Sequence, residues 1–276
     1  MSVTSPFEPL GRLRSKQMLE LLRVGKRIDG RDLQSYRELK VEPNAIEKAE
    51  GSAMVTLGNT KVLVGVKVET GEPYPDTPNT GVLTVNSEFV PLAHEFFEPG
   101  PPNENSIELA RVVDRGIRES QAIDLEKLVL IPGKLVYVIF VDIYILNHDG
   151  NLIDASAYAA LSALSSTTVG NRTVASDGTV QMEEGRFQLP LRDYPVACSI
   201  AKLDTHLAVD PNLDEEGIAS CKITITTTSD GHLCAMQKSG TGTFTLDEIL
   251  KAKTLALEKT QEIRAKLGLS ENIGKN

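Results

Sequence analysis

Hydrophobic and polar positions alternate along several short stretches of the chain, which is typical of β-strands. Residues 52–57 and 61–68 alternate in this way on either side of a Gly-Asn-Thr turn, and they predict a β-hairpin. Residues 81–90 predict a further strand. Residues 136–146 are almost continuously apolar, which is unusual for an edge strand and predicts a buried central one.

Other stretches repeat apolar residues every three to four positions, as amphipathic helices do. They predict helices at residues 15–24 and 106–121, and an Ala- and Leu-rich segment predicts another helix at residues 154–166. In the second of these helices Asn105 is expected to cap the N-terminus, with Glu108 as the other half of a capping box.

The second half of the chain repeats this plan. Strands are predicted at residues 196–202, 206–209, 220–226 and 232–237. Thr245 and Glu248 have the spacing of a capping box that opens a final amphipathic helix. Hairpins followed by an amphipathic helix, twice, predict an α+β fold of two similar lobes with helices covering their sheets. We divide the chain into a basic N-terminal arm, a first lobe, and a second lobe with the C-terminal helix, at residues 1–30, 31–190 and 191–276.

The composition is that of a folded protein, with 41% apolar and 24% charged residues in a chain of 276. The apolar run at residues 136–146 contains Asp142 and is far shorter than the ~20 residues that a membrane-spanning helix needs. The first residues contain no apolar segment typical of a signal peptide. We therefore expect a cytoplasmic protein without membrane association.

Cysteines and histidines form no recognisable metal or redox motif. The cysteines make no CxxC pair, and we expect reduced, buried thiols at Cys198, Cys221 and Cys234. The four histidines lack the spacing of metal ligands. Gly-Thr-Gly at residues 240–242 lacks the remainder of a phosphate-binding loop. We expect neither a metal ion nor a cofactor.

The net charge of −9 argues against a protein whose whole surface binds nucleic acid, because such binding depends on neutralising phosphates. The charge is unevenly distributed, however. Residues 1–40 hold nine Lys and Arg against five acidic residues, which gives +4 there and leaves −13 for the rest. We expect this basic segment to pack on its own domain or on a neighbouring subunit rather than on RNA.

Three arginines fall on one stripe of the helix predicted at residues 106–121: Arg111, Arg115 and Arg118. Guanidinium groups in such a row can bind successive phosphates with forked donors. The opposite side of the helix is apolar and is expected to face the core, with Leu109, Val113, Gly116 and Ile117. The pattern alone favours a solvated face whose arginines pair locally with Glu108, Asp114 and Glu119.

An acidic run lies near the end of a predicted strand and consists of Asp204, Asp210, Asp214, Glu215 and Glu216. Carboxylates in such a run could hold Mg²⁺ or act as a general acid. Acidic loops are common in a chain of this net charge, so the pattern favours a solvated loop.

Several segments together resemble RNase PH-like proteins. They are GKRIDGR at residues 25–31, Tyr36-Arg37, GSAMVTLGNTKV at residues 51–62 and HDGN at residues 148–151, and they occur in the family's order. The resemblance spans residues 25–268. Within the family, DPNLDEE at residues 210–216 is similar to the non-catalytic ring subunits of the archaeal exosome and their eukaryotic counterparts.

The resemblance implies the RNase PH fold, with two pseudo-symmetric lobes of mixed β-sheets covered by helices. It also implies a hexameric ring of three heterodimers, in which such subunits alternate with a catalytic RNase PH-like paralogue, and RNA-binding cap proteins on one face. These rings degrade single-stranded RNA from its 3′ end with phosphate as the nucleophile. By this resemblance Arg111 and Arg115 face the RNA path, which favours contact with the phosphate backbone, whereas Arg118 could also pair with a neighbouring acid.

Three departures from the active members of the family bear on catalysis. Where active relatives have glycine and small or hydroxyl residues at the start of the central helix, this chain has Leu152 and Ile153, which cannot bind a phosphate dianion. The arginine pair that precedes the position of Glu108 is missing. Of the two catalytic aspartates, Asp210 matches the first, and Glu216 stands in place of the second. We therefore expect no catalytic residue and interpret Asp210 as a relic or loop residue.

The sequence thus favours a non-catalytic ring subunit that structures the active site of its catalytic partner and contributes to RNA binding. Two alternatives stay open. The chain could itself be a phosphorolytic 3′-to-5′ exoribonuclease, or a binding module unrelated to RNA turnover.

Overall fold

The structure is a computed structural model that describes residues 8–174 and 180–269. Its helices are α1 (Glu8–Arg23), α2 (Glu104–Glu119), α3 (Leu152–Ser166), α4 (Leu213–Ile218) and α5 (Leu246–Lys266). Its strands are β1 (Leu39–Pro43), β2 (Gly51–Leu57), β3 (Thr60–Gly71), β4 (Val82–Phe89), β5 (Val129–Ile131), β6 (Leu135–Asn147), β7 (Thr168–Val174), β8 (Val180–Gln188), β9 (Val196–Leu203), β10 (His206–Val209), β11 (Cys221–Thr227) and β12 (Leu233–Ser239).

Two larger sheets, one for each lobe, form the frame of the molecule, and β7 and β8 form a separate two-stranded sheet. The first sheet has the strand order β1-β2-β3-β6-β4, and β5 also pairs with β6. It is mixed, because β4 runs parallel to β6 whereas the other pairs are antiparallel. The second sheet has the order β10-β9-β11-β12 and is antiparallel. The predicted α+β fold of two lobes is confirmed.

Helices α2 and α3 lie between the two sheets, and α5 covers the far side of the second one. Along β9, Ser199 hydrogen-bonds to Asp154 of α3, whereas Cys198 and Ile200 pack with Ala252 of α5. Because successive side chains of a strand point to opposite faces, α3 and α5 cover opposite faces of this sheet. α3 also packs against β2 and β3 of the first sheet, so it is the central helix of the molecule.

The predicted central strand is β6, which lies between β3 and β4. Its alternate residues Val141, Ile143 and Ile145 are fully buried against the helices. On the other face Asp142 is partly buried and Tyr144 is exposed, so this face is less covered by the described residues than the first.

The start of α2 differs from the predicted one. The helix begins at Glu104, and its N-cap is Asn103, whose Oδ1 accepts the N–H of Ser106 at 2.9 Å. Asn105 and Glu108 therefore form no capping box, because Asn105 already lies within the first turn of the helix.

Both helices near the chain ends pack on the second lobe. α1 buries Met18 and Leu22, and Leu22 shares an apolar cluster with Leu203 and Ala208. The part of the basic N-terminal segment that forms α1 thus packs on its own chain, one of the two arrangements expected. α5 opens with the predicted capping box, in which both reciprocal hydrogen bonds are present.

Four strands and one helix were not predicted from the pattern: β1, β5, β7, β8 and α4. β1 and β5 are only five and three residues long, which is too short for a clear pattern, and nearly every residue of β8 is exposed.

The cysteines are free thiols, as expected, although Cys234 is only partly buried. Burial raises the pKa of the Cys234 thiol to about 11 and also raises that of Cys198, so both stay protonated at neutral pH. Within residues 8–174 and 180–269, no helix is long and apolar enough to cross a membrane.

Candidate functional site

The two faces of α2 differ as the sequence predicted. Leu109, Val113, Gly116 and Ile117 are buried between the sheets. Arg111 and Arg115 are exposed on the opposite side. Neither guanidinium forms a hydrogen bond or ion pair with any other residue in the described part of the chain. Two adjacent cations on this stripe are therefore available to an external anion.

The third arginine of the stripe is engaged within the chain. Arg118 Nη2 lies 2.7 Å from Asp114 Oδ1, and Arg118 Nε lies 3.1 Å from Asp114 Oδ2. The same Nη2 donates to the carbonyl of Leu83 at 3.0 Å. The bond to Asp114 raises the pKa of Arg118, in spite of partial burial. Of the local ion pairs considered from the sequence, the one to Asp114 is formed.

A cleft of about 370 Å³ lies where the start of α3 meets the second lobe. Its lining includes Phe97, His148, Leu152, Ile153, Glu216 and Lys222. The first turn of α3 therefore presents the two apolar side chains expected from the sequence. Burial lowers the pKa of His148, although Glu216 opposes this shift, so the imidazole is neutral at pH 7.

The carboxylate of Glu216 lies at the start of α3. Its Oε1 accepts the backbone N–H of Asn151 at 3.2 Å and the ammonium of Lys222 at 2.5 Å. Only 15% of the Glu216 side chain and 27% of the Lys222 side chain are exposed. Asn151 has left-handed backbone angles and makes no side-chain cap for α3. An internal carboxylate therefore lies beside this helix start.

Asp210 is completely buried and is surrounded by donors. Arg37 donates to it from Nε, from Nη2 and from its backbone N–H, at 2.8–3.0 Å. Arg31 Nη1 and Asn151 Nδ2 donate at 3.0 and 2.8 Å. Burial alone would raise the pKa of Asp210, but the hydrogen bonds and charge of Arg37 outweigh it and hold this pKa below its ordinary value. Asp210 is therefore an ionised acceptor that joins three segments of the chain.

A second buried ion pair lies beside Asp210. Arg27 donates both Nε and Nη2 to the Glu215 carboxylate, with the Nε–Oε1 distance at 2.7 Å. Its remaining donors reach the carbonyls of Val209 and Asp210, each at 2.9 Å. Glu215 also completes a capping box with Asn212 at the start of α4. This Asn-x-x-Glu motif was readable in the sequence, whereas the pairing with Arg27 was not.

The prediction of a solvated acidic loop is therefore wrong for Asp210 and Glu215, which are 0% and 1% exposed. The physical reason is that three arginines from residues 27–37 reach these carboxylates and compensate their burial. Only Asp204 is exposed, as expected. Nothing in local spacing indicates these contacts, because the partners are 173 or more residues apart.

Asn151 links Asp210 to another buried carboxylate at the centre of the molecule. Its Nδ2 donates to Asp154 Oδ2 at 2.9 Å. Ser199 donates its backbone N–H and its hydroxyl to the same carboxyl group, and Tyr36 donates at 3.1 Å. Burial raises the pKa of Asp154 despite these donors. The network connects α3, β9 and the segment before β1, and thus the two lobes.

No group of three or more His, Cys, Asp or Glu side chains among the described residues is arranged to hold a metal ion. The carboxylates of the acidic run instead accept hydrogen bonds from arginine, lysine and amide donors.

Comparisons with known proteins cover most of the chain. The model of domain 1 of the 3′ exoribonuclease family matches residues 35–169, and that of domain 2 matches residues 193–259. The "Exosome complex component Rrp42" of Thermococcus kodakarensis is 52% identical over 264 residues, which is 95% of this chain and 97% of that protein. The protein of the same name from Methanosarcina acetivorans is 48% identical over 93% of this chain and 94% of its own length.

Solved structures agree with the sequence comparisons. A chain of the structure described as "archaeoglobus fulgidus exosome with RNA bound to the active site" superposes with a TM-score of 0.86 and is 46% identical, covering 94% of this chain and 99% of that one. A chain of an "Archaeal exosome core" gives a TM-score of 0.84 at 42% identity, covering 95% and 99%. The resemblance inferred from the sequence motifs is confirmed. This chain belongs to the 3′ exoribonuclease family, with both of its RNase PH domains.

Proposed function

We propose that the chain is a non-catalytic subunit of an exosome ring. In this proposal it alternates with a catalytic RNase PH-like paralogue in three heterodimers, beneath RNA-binding cap proteins, in the cytoplasm. The ring degrades single-stranded RNA from the 3′ end with phosphate. The proposal is supported by curated relatives that are named exosome components and by the similarity to chains of exosome structures.

The geometry at α3 supports a non-catalytic role. A phosphorolytic site must bind a phosphate dianion, and helix N-termini are suited to this. Here the first turn presents Leu152 and Ile153, and the carboxylate of Glu216 already lies at Asn151. Asp210, which matches a catalytic position in active relatives, is inaccessible and neutralised by arginines. Glu216, which stands in place of the second catalytic aspartate, is held by the Asn151 N–H and by Lys222.

The exposed stripe of α2 supports a role in RNA binding. Arg111 and Arg115 are available, and guanidinium groups bind phosphate oxygens with forked, charge-assisted hydrogen bonds. Contacts to the backbone carry no sequence information, as a processive nuclease requires. Arg118 belongs to the same proposed surface but contributes less, because Asp114 already compensates its charge.

The observation that carries the proposal is the contrast between these two places. Cations are exposed on α2, where the RNA backbone is proposed to pass, and an internal anion lies at α3, where an active enzyme would bind phosphate. In this proposal the chain contributes to catalysis by completing the active site of its catalytic paralogue.

The test uses the full chain alone and co-assembled with its catalytic paralogue. Each sample is incubated with single-stranded RNA and inorganic phosphate, and nucleoside diphosphates are measured. We expect release only from the assembly, which also requires that the two chains co-purify. Release by the chain alone would overturn the non-catalytic role and favour the alternative of an independent phosphorolytic exoribonuclease.

A further inference from the structure

A tyrosine ring is exposed near the arginine stripe of α2. Tyr74 lies in the segment between β3 and β4, and 49% of its surface is exposed. In the part of the chain that the structure describes, no other aromatic ring and no cation stacks on it. Proteins that bind single-stranded RNA stack its bases on exposed aromatic side chains of this kind. The ring of Tyr74 is therefore available to a base.

The stripe leads along α2 to Arg118 in the last turn of the helix, where it meets the loop that holds Tyr74. This loop, residues 72–81, leads directly into β4, and Arg118 Nη2 donates to the carbonyl of Leu83 in that strand at 3.0 Å. The pKa of Arg118 is raised mainly by Asp114, and Tyr74 adds to this shift. The phenol oxygen of Tyr74 therefore lies within electrostatic range of the guanidinium at the end of the stripe.

The loop around Tyr74 is restrained by its composition and by hydrogen bonds. Three of its residues, at positions 73, 75 and 78, are prolines, which fix the backbone angle φ. The N–H of Thr77 donates to the carbonyl of Tyr74 at 3.1 Å and closes a turn there. The carbonyl of Pro78 accepts the N–H of Gly133 at 2.9 Å. A ring on a restrained loop loses little conformational entropy when a ligand stacks on it.

The charge of the loop shows which part of an RNA it can contact. The loop carries the exposed acids Glu72 and Asp76 and contains neither lysine nor arginine. It therefore has no side chain that neutralises a phosphate. Stacking needs no such charge, because every base presents a π-face to an aromatic ring. The tyrosine is suited to a base, and the arginines of the stripe are suited to the backbone.

We propose that Tyr74 stacks on a base of the RNA whose phosphates Arg111 and Arg115 bind. Tyr74 is thus a further RNA-binding residue, and its contact accepts any base. A cationic groove combined with aromatic platforms is the usual arrangement of proteins that bind single strands without sequence preference. The inference rests on the proposed function and adds a base contact to it.

The test measures RNA binding by the ring that forms when the chain is co-purified with its catalytic paralogue. Fluorescence anisotropy with labelled oligouridine gives the affinity at several salt concentrations. Tyr74→Ala should weaken binding about tenfold, which is equivalent to ~1.4 kcal/mol. The slope of log K against log salt should stay unchanged, because the variant removes no charge. Tyr74→Phe keeps the aromatic ring and should keep the affinity.

Tyr144→Ala is the matched control for the loss of an exposed tyrosine. Tyr144 is 38% exposed and lies on the face of β6 opposite to the one that packs on the helices. Its removal should leave RNA affinity unchanged. A second control is an oligonucleotide of equal length in which abasic spacers replace the nucleosides, since it keeps the phosphates but cannot stack. Tyr74→Ala and the unaltered ring should bind this probe equally.

Equal affinity of Tyr74→Ala and the unaltered ring for oligouridine would overturn the inference, as would an equal loss in Tyr144→Ala. A loss in Tyr74→Phe as large as that in Tyr74→Ala would exclude stacking as the cause. A loss that persists with the abasic probe, or a shallower salt slope, would do the same. All these results leave the proposed function intact, provided that the unaltered ring binds oligouridine. If the unaltered ring does not bind it, both the RNA-binding role and this inference are wrong.

Discussion

Two groups of arginines in this molecule have the same chemistry and opposite roles. Arg27, Arg31 and Arg37 lie in the segment before β1 and point into the second lobe, where they bind Asp210 and Glu215. Arg111 and Arg115 lie on α2 and point outward without a partner among the described residues. The first group stabilises the fold, and the second is available for a ligand.

The comparison shows that charge counting does not identify a nucleic-acid surface. The basic segment at residues 1–40 has the larger excess of positive charge, yet three of its arginines are compensated by buried carboxylates. α2 has only a short stripe, but its charge is uncompensated at two positions. What distinguishes the groups is whether a carboxylate lies within hydrogen-bond distance, and this depends on the tertiary fold.

The largest effect on stability is expected from removing the charge of Asp210, the buried carboxylate that Arg31 and Arg37 bind. Asp210→Asn should lower the free energy of unfolding by about 3–5 kcal/mol, because Arg31 and Arg37 lose their buried counter-charge. Urea denaturation at pH 7 measures this loss. Asp204→Asn is the matched control, since Asp204 is also an aspartate with positive φ but is exposed. Equal losses in the two variants would contradict a structural role for Asp210.

The stabilisation by Asp210 is also expected to depend on pH, which tests whether its charge is the source. The pKa of folded Asp210 is held below the ordinary value of 3.8, although burial opposes this, so the unfolded chain takes up the proton first as the pH falls. The stabilisation by Asp210 is therefore complete above the ordinary pKa and is lost as the pH falls through the folded pKa. The difference in unfolding free energy between the unaltered chain and Asp210→Asn should accordingly shrink below about pH 4. A difference that is constant from pH 7 to pH 3 would rule out this ion pair as its source.

The pair of Arg27 and Glu215 is expected to show an asymmetry. Arg27→Met leaves a buried carboxylate without a counter-charge and should cost about 3–5 kcal/mol of unfolding free energy. Glu215→Gln should cost less, because Arg27 keeps the carbonyls of Val209 and Asp210 and the glutamine can still bond to Asn212. The double variant should be more stable than Arg27→Met alone.

Denaturation of the three variants gives the coupling energy directly. The exposed pair of Lys40 and Glu38 is the reference, because solvent screens it and its removal should have little effect. Additive losses for Arg27 and Glu215 would show that the arginine stabilises the fold through its carbonyl contacts alone.

The fold was predictable from the sequence where local periodicity determines structure. The hairpin of β2 and β3, the apolar face of α2 and the capping box of α5 depend on neighbouring residues only. The exposure of Arg111 and Arg115 follows from the same periodicity, because their positions lie opposite the buried stripe of the helix.

The contacts of the acidic run were not predictable in this way. Arg37 and Asp210 are 173 residues apart, and no local signal indicates that the segment before β1 crosses to the second lobe. The same holds for Glu216 at the start of α3, 65 residues from Asn151. In both cases a residue that local spacing assigns to a solvated loop is wholly or largely removed from solvent, and a distant segment supplies at least one of its donors.

The smallest effect on stability and the most specific effect on RNA are expected on α2. Arg111→Ala with Arg115→Ala removes two exposed cations that make no hydrogen bond or ion pair within the described residues, so the unfolding free energy should stay nearly unchanged. RNA binding by the assembled ring should weaken. Its salt dependence, log K against log salt, should become shallower by about 0.7 for each lost phosphate contact to a single strand, which is about 1.4 for the double variant.

Arg118→Ala is the control within the same helix, because it removes one arginine whose charge Asp114 already compensates, and it is compared with half the effect of the double variant. Its salt slope should change by clearly less than 0.7, while the lost ion pair should cost about 0.3–0.5 kcal/mol of stability. Fluorescence anisotropy with labelled single-stranded RNA at several salt concentrations separates the cases. If Arg118→Ala also made the salt slope shallower by about 0.7, half the effect of the double variant, compensation by Asp114 would not distinguish the three arginines. If the double variant left the slope unchanged, the stripe would face solvent or a protein neighbour instead of RNA.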